Sequence, residues 1–219
     1  MKPLAIIPAR AGSKRLPNKN MEKIGDYTLI EHAVIQAYTA TGGYNIMVTT
    51  DYPMPREFPR VPLHVWHRRP EALCQPDTPM MDVVLDAIRA DRTMSKDWDS
   101  VVLLQPTSPL RSADDIKACI QRLEAGADAC ISVVATEWPE LFTLGHAGRL
   151  RGWTAAEHAQ MVRANGAVFA ITRKALEAGR DWWTADVVEG HLMPLERSVD
   201  IDTIYDLEEA RRLWSMRKP

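Results

Sequence analysis

The stretch Pro8-Ala9-Arg10-Ala11-Gly12-Ser13-Lys14-Arg15-Leu16-Pro17-Asn18-Lys19-Asn20 gathers Arg10, Lys14, Arg15 and Lys19 around a single glycine. Residues of these types in a tight turn suit a polyphosphate. Backbone N–H groups point at phosphate oxygens while Arg and Lys neutralise the charge. The same composition also describes a solvated basic turn. Position favours the phosphate reading, because the loop leaves an apolar, β-branched run, Leu4-Ala5-Ile6-Ile7, that reads as a buried strand. It is not a P-loop, since Lys14 follows Ser13 rather than glycine and precedes Arg15 rather than Ser or Thr.

A second chemical signal lies in Ser198-Val199-Asp200-Ile201-Asp202-Thr203. Alternation along an extended segment puts Asp200 and Asp202 on one face. Paired carboxylates make a hard oxygen site suited to Mg²⁺, which keeps several waters and bridges to phosphates. The plainer reading gives Asp202 or Thr203 a helix cap and leaves Asp200 on an exposed face.

The elements that must position these groups alternate between strand and helix, the mark of a parallel α/β sheet. Thr28 to Thr41 carries Leu29, Ile30, Ala33, Val34, Ala37 and Tyr38 on one helical stripe, and Gly42-Gly43 ends it. Strands are expected at Asn45–Thr50 and Leu63–Trp66. A helix follows over Pro79–Ala90, with Met81, Val84, Leu85 and Ile88 inward. Ser100–Leu104 is a buried strand that ends at Gln105-Pro106-Thr107-Ser108. Ser112 and Asp115 open a helix as a capping box, with Ile116, Cys119, Ile120 and Leu123 on its inner stripe. Strands return at Ala129–Val134 and Ala167–Ile171. Thr203 then caps a last helix whose inner face is Leu207, Ala210, Leu213 and Trp214. Residues 135–164 show no clean period and form the one excursion expected from a single domain over 1–219. In open α/β sheets ligands sit beyond the carboxyl ends of the strands, where the basic loop, Thr49-Thr50-Asp51 and Gln105-Pro106-Thr107-Ser108 all fall.

Composition narrows the partners. With 219 residues, 46% hydrophobic and 26% charged, the chain suits one sizeable core. A net charge of −2 argues against general nucleic-acid binding, so the basic loop is a local device for a small anion. Cys74, Cys119 and Cys130 show neither metal spacing nor a disulfide framework. A chain that begins a strand at once, without a leader or a membrane-spanning run, is expected in a reducing cytoplasm.

The basic loop resembles the N-terminal signature of the sugar-activating cytidylyltransferases, the CMP-sialic acid and CMP-Kdo synthetases. Asp200-Ile201-Asp202-Thr203 is similar to that family's Asp-x-Asp-Thr magnesium motif. Leu103-Leu104-Gln105-Pro106-Thr107-Ser108-Pro109-Leu110-Arg111 resembles its central strand signature, and Asn165-Gly166-Ala167 its Asn-Gly-Ala segment. Arg68-Arg69-Pro70 with Asp77-Thr78 resembles the stretch that frames the cytosine. Together these matches run from Leu4 to Leu207.

The resemblance implies a Rossmann-like nucleotidyltransferase fold, α/β with a mostly parallel central sheet flanked by helices, and a small excursion for dimerisation. It implies CMP transfer from CTP to a 2-keto-3-deoxy sugar acid, a homodimer, and Mg²⁺ on Asp200 and Asp202. Arg10, Ser13, Lys14, Lys19, Asn20 and Arg69 carry over as nucleotide contacts, and Gln105 and Asn165 as substrate contacts. Arg10, Lys19 and Asp202 are the expected catalytic groups. Two departures concern the acceptor. The family's Arg-Arg-Gln-Asp run is replaced by Thr154-Ala155-Ala156-Glu157, and a Lys of the excursion by Leu141-Phe142. Family members also place small polar residues beyond Asp77-Thr78, where this chain has Pro79-Met80-Met81. A different acid acceptor or nucleotide, or a nucleotide-binding module without catalysis, therefore stays open at this point.

Overall fold

The computed structural model describes residues 1–43, 45–53, 65–90, 97–136, 142–144, 150–152 and 161–217. In chain order the strands and α-helices are β1 (Pro3–Ala9), β2 (Lys23–Ile24), β3 (Tyr27–Thr28), α1 (Leu29–Thr41), β4 (Ile46–Thr50), β5 (Val65–Arg68), α2 (Met80–Ala90) and β6 (Ser100–Leu103). They continue with α3 (Ala113–Glu124), β7 (Ala129–Ala135), β8 (Phe142–Leu144), β9 (Leu150–Gly152), β10 (Val162–Thr172), α4 (Arg173–Glu177), β11 (Val188–Met193) and α5 (Ile204–Ser215).

Seven strands form the central sheet in the order β11-β7-β10-β6-β1-β4-β5. All neighbours pair in parallel except β10, which runs antiparallel to both β6 and β7. Every residue of β1 is buried, as a central strand covered on both faces requires. One face packs Ile7, Val48, Val102 and Val168 against Ile30 and Val34 of α1 and Ile116 and Ile120 of α3. The other packs Leu4, Ile6, Leu103 and Ile171 against Val84 and Ala87 of α2 and against Trp182. A third cluster joins Ile24, Leu29, Leu110, Ile201, Leu207 and Ala210, and seats α5 against the small β2–β3 hairpin.

The local signals operate as their chemistry dictates. Thr28, Ser112 and Thr203 each close a reciprocal capping box, with Glu31, Asp115 and Asp206 respectively. Gly42 ends α1 in the left-handed region at φ 71°.

The boundaries shift in several places. Tyr38 is an exposed residue of α1. On α2 the fully buried positions are Val83, Val84 and Ala87, with Leu85 only half-buried. The strand expected at Leu63–Trp66 is described as Val65–Arg68, and Leu63 and His64 lie outside the described residues. The expected excursion at 135–164 narrows in the backbone, because β7 runs through Ala135 and β10 resumes at Val162. Within it β8 and β9 pair antiparallel. Thr154, Ala155, Ala156, Glu157 and Leu141 lie outside the described residues. Cys74, Cys119 and Cys130 are free thiols.

Candidate active site

The parallel strands all end on one edge of the sheet, and the singled-out residues follow those ends. Arg10 leaves β1, Arg69 leaves β5, Gln105 lies just beyond β6, and the chain after β11 leads to Asp200 and Asp202. A cleft of about 170 Å³ at this edge is lined by Arg10, Lys19, Asn20, Arg69, Gln105, Asp200 and Asp202, together with Pro8, Met80, Pro106 and Thr107. Residues far apart in sequence thus share one concave wall, as the switch-point rule for open α/β sheets anticipates.

The cationic wall is tied down from behind. Asp51 Oδ1 accepts a hydrogen bond from the Ala11 N–H at 2.7 Å, which pins the root of the basic loop. Asn20 Nδ2 donates to the Arg10 carbonyl at 3.0 Å. Asn20 is buried, and its Oδ1 has no hydrogen-bond partner among the described residues. A buried acceptor of that kind at a cleft wall calls for a donor from a ligand or water. Arg69 is 5% exposed and donates to the Thr49 carbonyl at 2.8 Å. Burial lowers its pKa, and it forms no ion pair among the described residues.

The acidic wall obeys strand alternation. Ile201 is fully buried, so Asp200 and Asp202 both turn outward into the cleft. The Ile201 N–H donates to the Thr107 carbonyl at 2.8 Å, and the Asp202 N–H to Asp206 Oδ2 at 3.0 Å. Lys19 Nζ donates to the Ile201 carbonyl and to Asp202 Oδ1, both at 2.9 Å, and Arg15 Nη2 reaches Asp202 Oδ2 at 2.6 Å. The pKa of Asp200 is raised. Desolvation by the surrounding protein and the charge of Asp202 push it up, against a Thr107 hydrogen bond and Lys19. That electrostatic state is one a cation relieves.

Ser13 and Lys14 do not line this cleft. They sit on the loop beside it, Ser13 half-buried and Lys14 exposed. Asn165 does not line it either, because its side chain is buried in a polar network. Its Oδ1 accepts from Ser132 Oγ at 2.6 Å and its Nδ2 donates to Ser198 Oγ at 2.9 Å. The residue at the cleft is its neighbour. Gly166 has φ +77°, and a Cβ there would stand 3.2 Å from Gln105 Oε1 and 3.5 Å from Asp200 Oδ2. Asn165-Gly166-Ala167 falls where the register of β10 against β7 shifts, between Ala164 and Phe169, and the bulge brings bare backbone up to the site.

Sequence reasoning also left the role of Arg111 unassigned. Its side chain is fully buried, and Nη1 donates to the carbonyls of Gln105 at 2.6 Å and Ala167 at 3.0 Å. It clamps the loop after β6 to the bulge of β10. An arginine closing a Pro/Ser/Thr turn was the available signal.

The cleft continues on both sides. Gln105 and Met80 are shared with an apolar pocket of about 240 Å³ walled by Phe169, Trp182 and Trp183. Asp200 and Asp202 are shared with a groove of about 800 Å³ that Arg163 also lines.

The sequence pattern of the Cytidylyltransferase family matches residues 4–210, nearly the whole chain and every residue of the cleft. The chain belongs to the cytidylyltransferase family. It is accordingly a nucleotidyltransferase. It is 27% identical to a CMP-N,N'-diacetyllegionaminic acid synthase of Legionella pneumophila, over 100% of this chain and 98% of that protein. It is 31% identical to an N-acylneuraminate cytidylyltransferase of Streptococcus agalactiae over 93% of this chain, and there it spans about half (51%) of the relative's length. A pseudaminic acid cytidylyltransferase of Campylobacter jejuni is 26% identical over 99% of this chain and 97% of that protein. Among solved structures, a CMP:2-keto-3-deoxy-manno-octonic acid synthetase complexed with CTP superposes with a TM-score of 0.66 at 18% identity, covering 98% of this chain and 99% of that one. This cytidylyltransferase therefore shares the nucleotidyltransferase fold, with a mostly parallel sheet and helices on both faces.

Proposed function

We propose that this cytidylyltransferase uses Mg²⁺ to transfer CMP from CTP to the anomeric hydroxyl of a 2-keto-3-deoxy sugar acid of the nonulosonic type, with release of pyrophosphate. One observation carries the reading: Lys19 meets Asp200 and Asp202 in a cleft whose opposite wall carries Arg10 and Arg69. Cations on one side suit the triphosphate, and carboxylates on the other suit a dication. Two carboxylates, one with a raised pKa, fit a hard ion that keeps waters and phosphate oxygens as its other ligands. When bound, Mg²⁺ supplies charge neutralisation at the phosphates and a fixed point between nucleotide and acceptor.

The protein's own groups do the rest. Arg10 and Lys19 offset negative charge that grows on the α-phosphate during in-line attack. Lys19 is held for this by the Ile201 carbonyl and needs no reorganisation. Arg69 and Asn20 hold the nucleotide, with Ser13 and Lys14 reaching it from the loop. Gln105, backed by Gly166 and Arg111, orients the sugar. Catalysis of this kind is mostly positioning and electrostatics.

The acceptor side follows from the two flanking cavities. Arg163 lines the groove that shares Asp200 and Asp202, and its planar guanidinium suits the carboxylate of an acid sugar. It takes over from the arginines missing around Thr154. The pocket of Phe169, Trp182 and Trp183 receives apolar acyl substituents. The names of the relatives, all CMP-nonulosonic acid enzymes, support that acceptor class.

A homodimer is part of the proposal. Exposed Val162, Val188, Leu192 and Leu195 gather near the edge strand β11, an apolar surface that a second copy would cover. Light scattering at working concentration tests it, and a monomer would remove it. Three free thiols support a reducing, cytoplasmic setting, and no described helix is long and apolar enough to cross a membrane.

The deciding assay is Mg²⁺-dependent pyrophosphate release from CTP across sialic, legionaminic, pseudaminic and Kdo acids. Turnover with one nonulosonic acid supports the proposal and fixes the acceptor. Silence across the panel with CTP still bound rejects that acceptor class.

A further inference from the structure

Arg15 is a cation with two separate connections to the site. It sits on the basic loop, next to Lys14, yet its Nη2 lies 2.6 Å from Asp202 Oδ2. Lys19 holds the other oxygen, Oδ1, at 2.9 Å. Both oxygens of Asp202 are thus engaged by side-chain cations, and a dication must displace one of them to bind.

The two partners differ in how firmly they are held. Lys19 is 16% exposed and doubly anchored, through Asp202 and the Ile201 carbonyl. Arg15 is 68% exposed, and Asp202 is its one ion-pair partner among the described residues. The loop beneath it is lightly tied, with open space around Gly12. The position of Asp202 does not depend on Arg15 either. Its backbone is fixed by Asp206 Oδ2, and that of Ile201 by the Thr107 carbonyl. An exposed ion pair of this sort is weak and easily exchanged.

We infer that Arg15 is a triphosphate ligand parked on Asp202 in the free enzyme, released to the phosphates when a dication takes its place on Oδ2. A displaced guanidinium on this loop has the phosphates as its nearest new anion, so metal binding at one end of the cleft recruits a cation at the other. This couples metal and nucleotide through a single side chain, and by linkage the coupling works equally in both directions. The inference rests on the proposed metal site.

The test uses the whole protein and three variants, Arg15→Ala, Arg15→Lys and Asp202→Asn. Binding of Mn²⁺ alone is read by electron paramagnetic resonance, without nucleotide and without turnover. Arg15→Ala should tighten Mn²⁺ roughly two- to fivefold, the range expected for losing an exposed competing ion pair. CTP binding is then measured calorimetrically with Mg²⁺ and in EDTA. Arg15→Ala should weaken CTP about tenfold with Mg²⁺, as for loss of a charge-assisted phosphate contact, and by little in EDTA, where Arg15 is still parked. Arg15→Lys should recover part of the Mg²⁺-dependent loss. An equal loss of CTP affinity in both conditions would make Arg15 a permanent phosphate ligand and overturn the exchange. No loss in either would make it a bystander. If Asp202→Asn binds Mn²⁺ as the wild type does, the metal site itself falls. If Asp202→Asn abolishes Mn²⁺ binding while Arg15→Ala leaves it unchanged, only the exchange falls.

Discussion

Arg197 grips Asp115 with two bonds, Nη2 to Oδ1 at 2.8 Å and Nε to Oδ2 at 3.1 Å, and so ties the first turn of α3 to the segment that leads into Asp200. Asp115 is buried, and His191 and Ser112 also donate to it. Burial alone would raise its pKa, but the hydrogen bonds from His191, Arg197 and Ser112 outweigh it and hold the carboxyl well below the usual carboxylate range. Its stabilisation is therefore complete above the unfolded pKa of about 3.9 and is lost as the pH falls through the lower folded value. Asp115→Asn should cost about 2–3 kcal/mol near neutrality, since it leaves a half-buried guanidinium without its counter-charge. Urea unfolding of both proteins at pH 7 and pH 3 checks this, with the gap narrowing at the acid end.

Gly166→Ala should damage stability and turnover together. A Cβ in the left-handed region costs about 1–2 kcal/mol, and this one also presses on Gln105 Oε1 and Asp200 Oδ2. Thermal unfolding and kcat are the readouts, and a variant with normal kcat would show that the glycine serves only the bulge.

Asn165→Ala separates a buried strut from a direct substrate contact. Removing the side chain leaves Ser132 and Ser198 each short of a partner and should cost about 2–3 kcal/mol. CTP affinity should persist, because Arg69 and Asn20 stand on other elements. A rise in the acceptor KM at unchanged stability would instead mean that Asn165 touches the acceptor.

Arg163→Ala should raise the acceptor KM by about tenfold or more, as loss of a charge-assisted carboxylate contact does, and leave CTP affinity near the wild-type value. Steady-state kinetics with each substrate varied in turn reads the split.

His32 predicts a neutral-to-acid slope in stability. It is buried, its Nε2–H donates to the Ile24 carbonyl at 2.8 Å, and it meets the rings of Tyr27 and Trp214 edge-on. Burial lowers its pKa despite that bond. The unfolded chain takes up the proton first, near pH 6.5, so the contribution of His32 is complete above that pH and falls below it. His32→Gln should flatten the stability curve between pH 7 and pH 5 relative to the wild type, while lowering it overall.

Much of this arrangement could be read directly from the chain. The alternation at Asp200-Ile201-Asp202 told which side chains face out, because the buried Ile201 leaves its neighbours no other choice. The Ser112–Asp115 pair announced the start of α3 through groups only three residues apart. Long-range arrangements were harder to see. β11 alternates half-buried and exposed positions, with a glycine and a histidine among them, and its strand character comes from pairing with β7. The reversed direction of β10 left no mark on its apolar pattern. Asn165 reads as polar and reachable, yet Ser132 and Ser198, 33 residues away on either side, enclose it. Ser13 and Lys14 share a motif with Lys19 but not its wall, since a loop fixes the order of its residues without fixing their reach.

The reversed strand β10 has a consequence for how such a protein diversifies. β7 ends at Ala135 and β10 begins at Val162, both on the edge that carries the cleft, and the Thr136 N–H closes the neck on the Met161 carbonyl at 3.0 Å. The chain between them leaves and re-enters through one doorway beside the catalytic groups. Lengthening or rewriting it adds only a slowly growing loop-closure cost and leaves the sheet register intact. New acceptor chemistry can therefore be trialled at that doorway while the nucleotide half of the machine stays as it is.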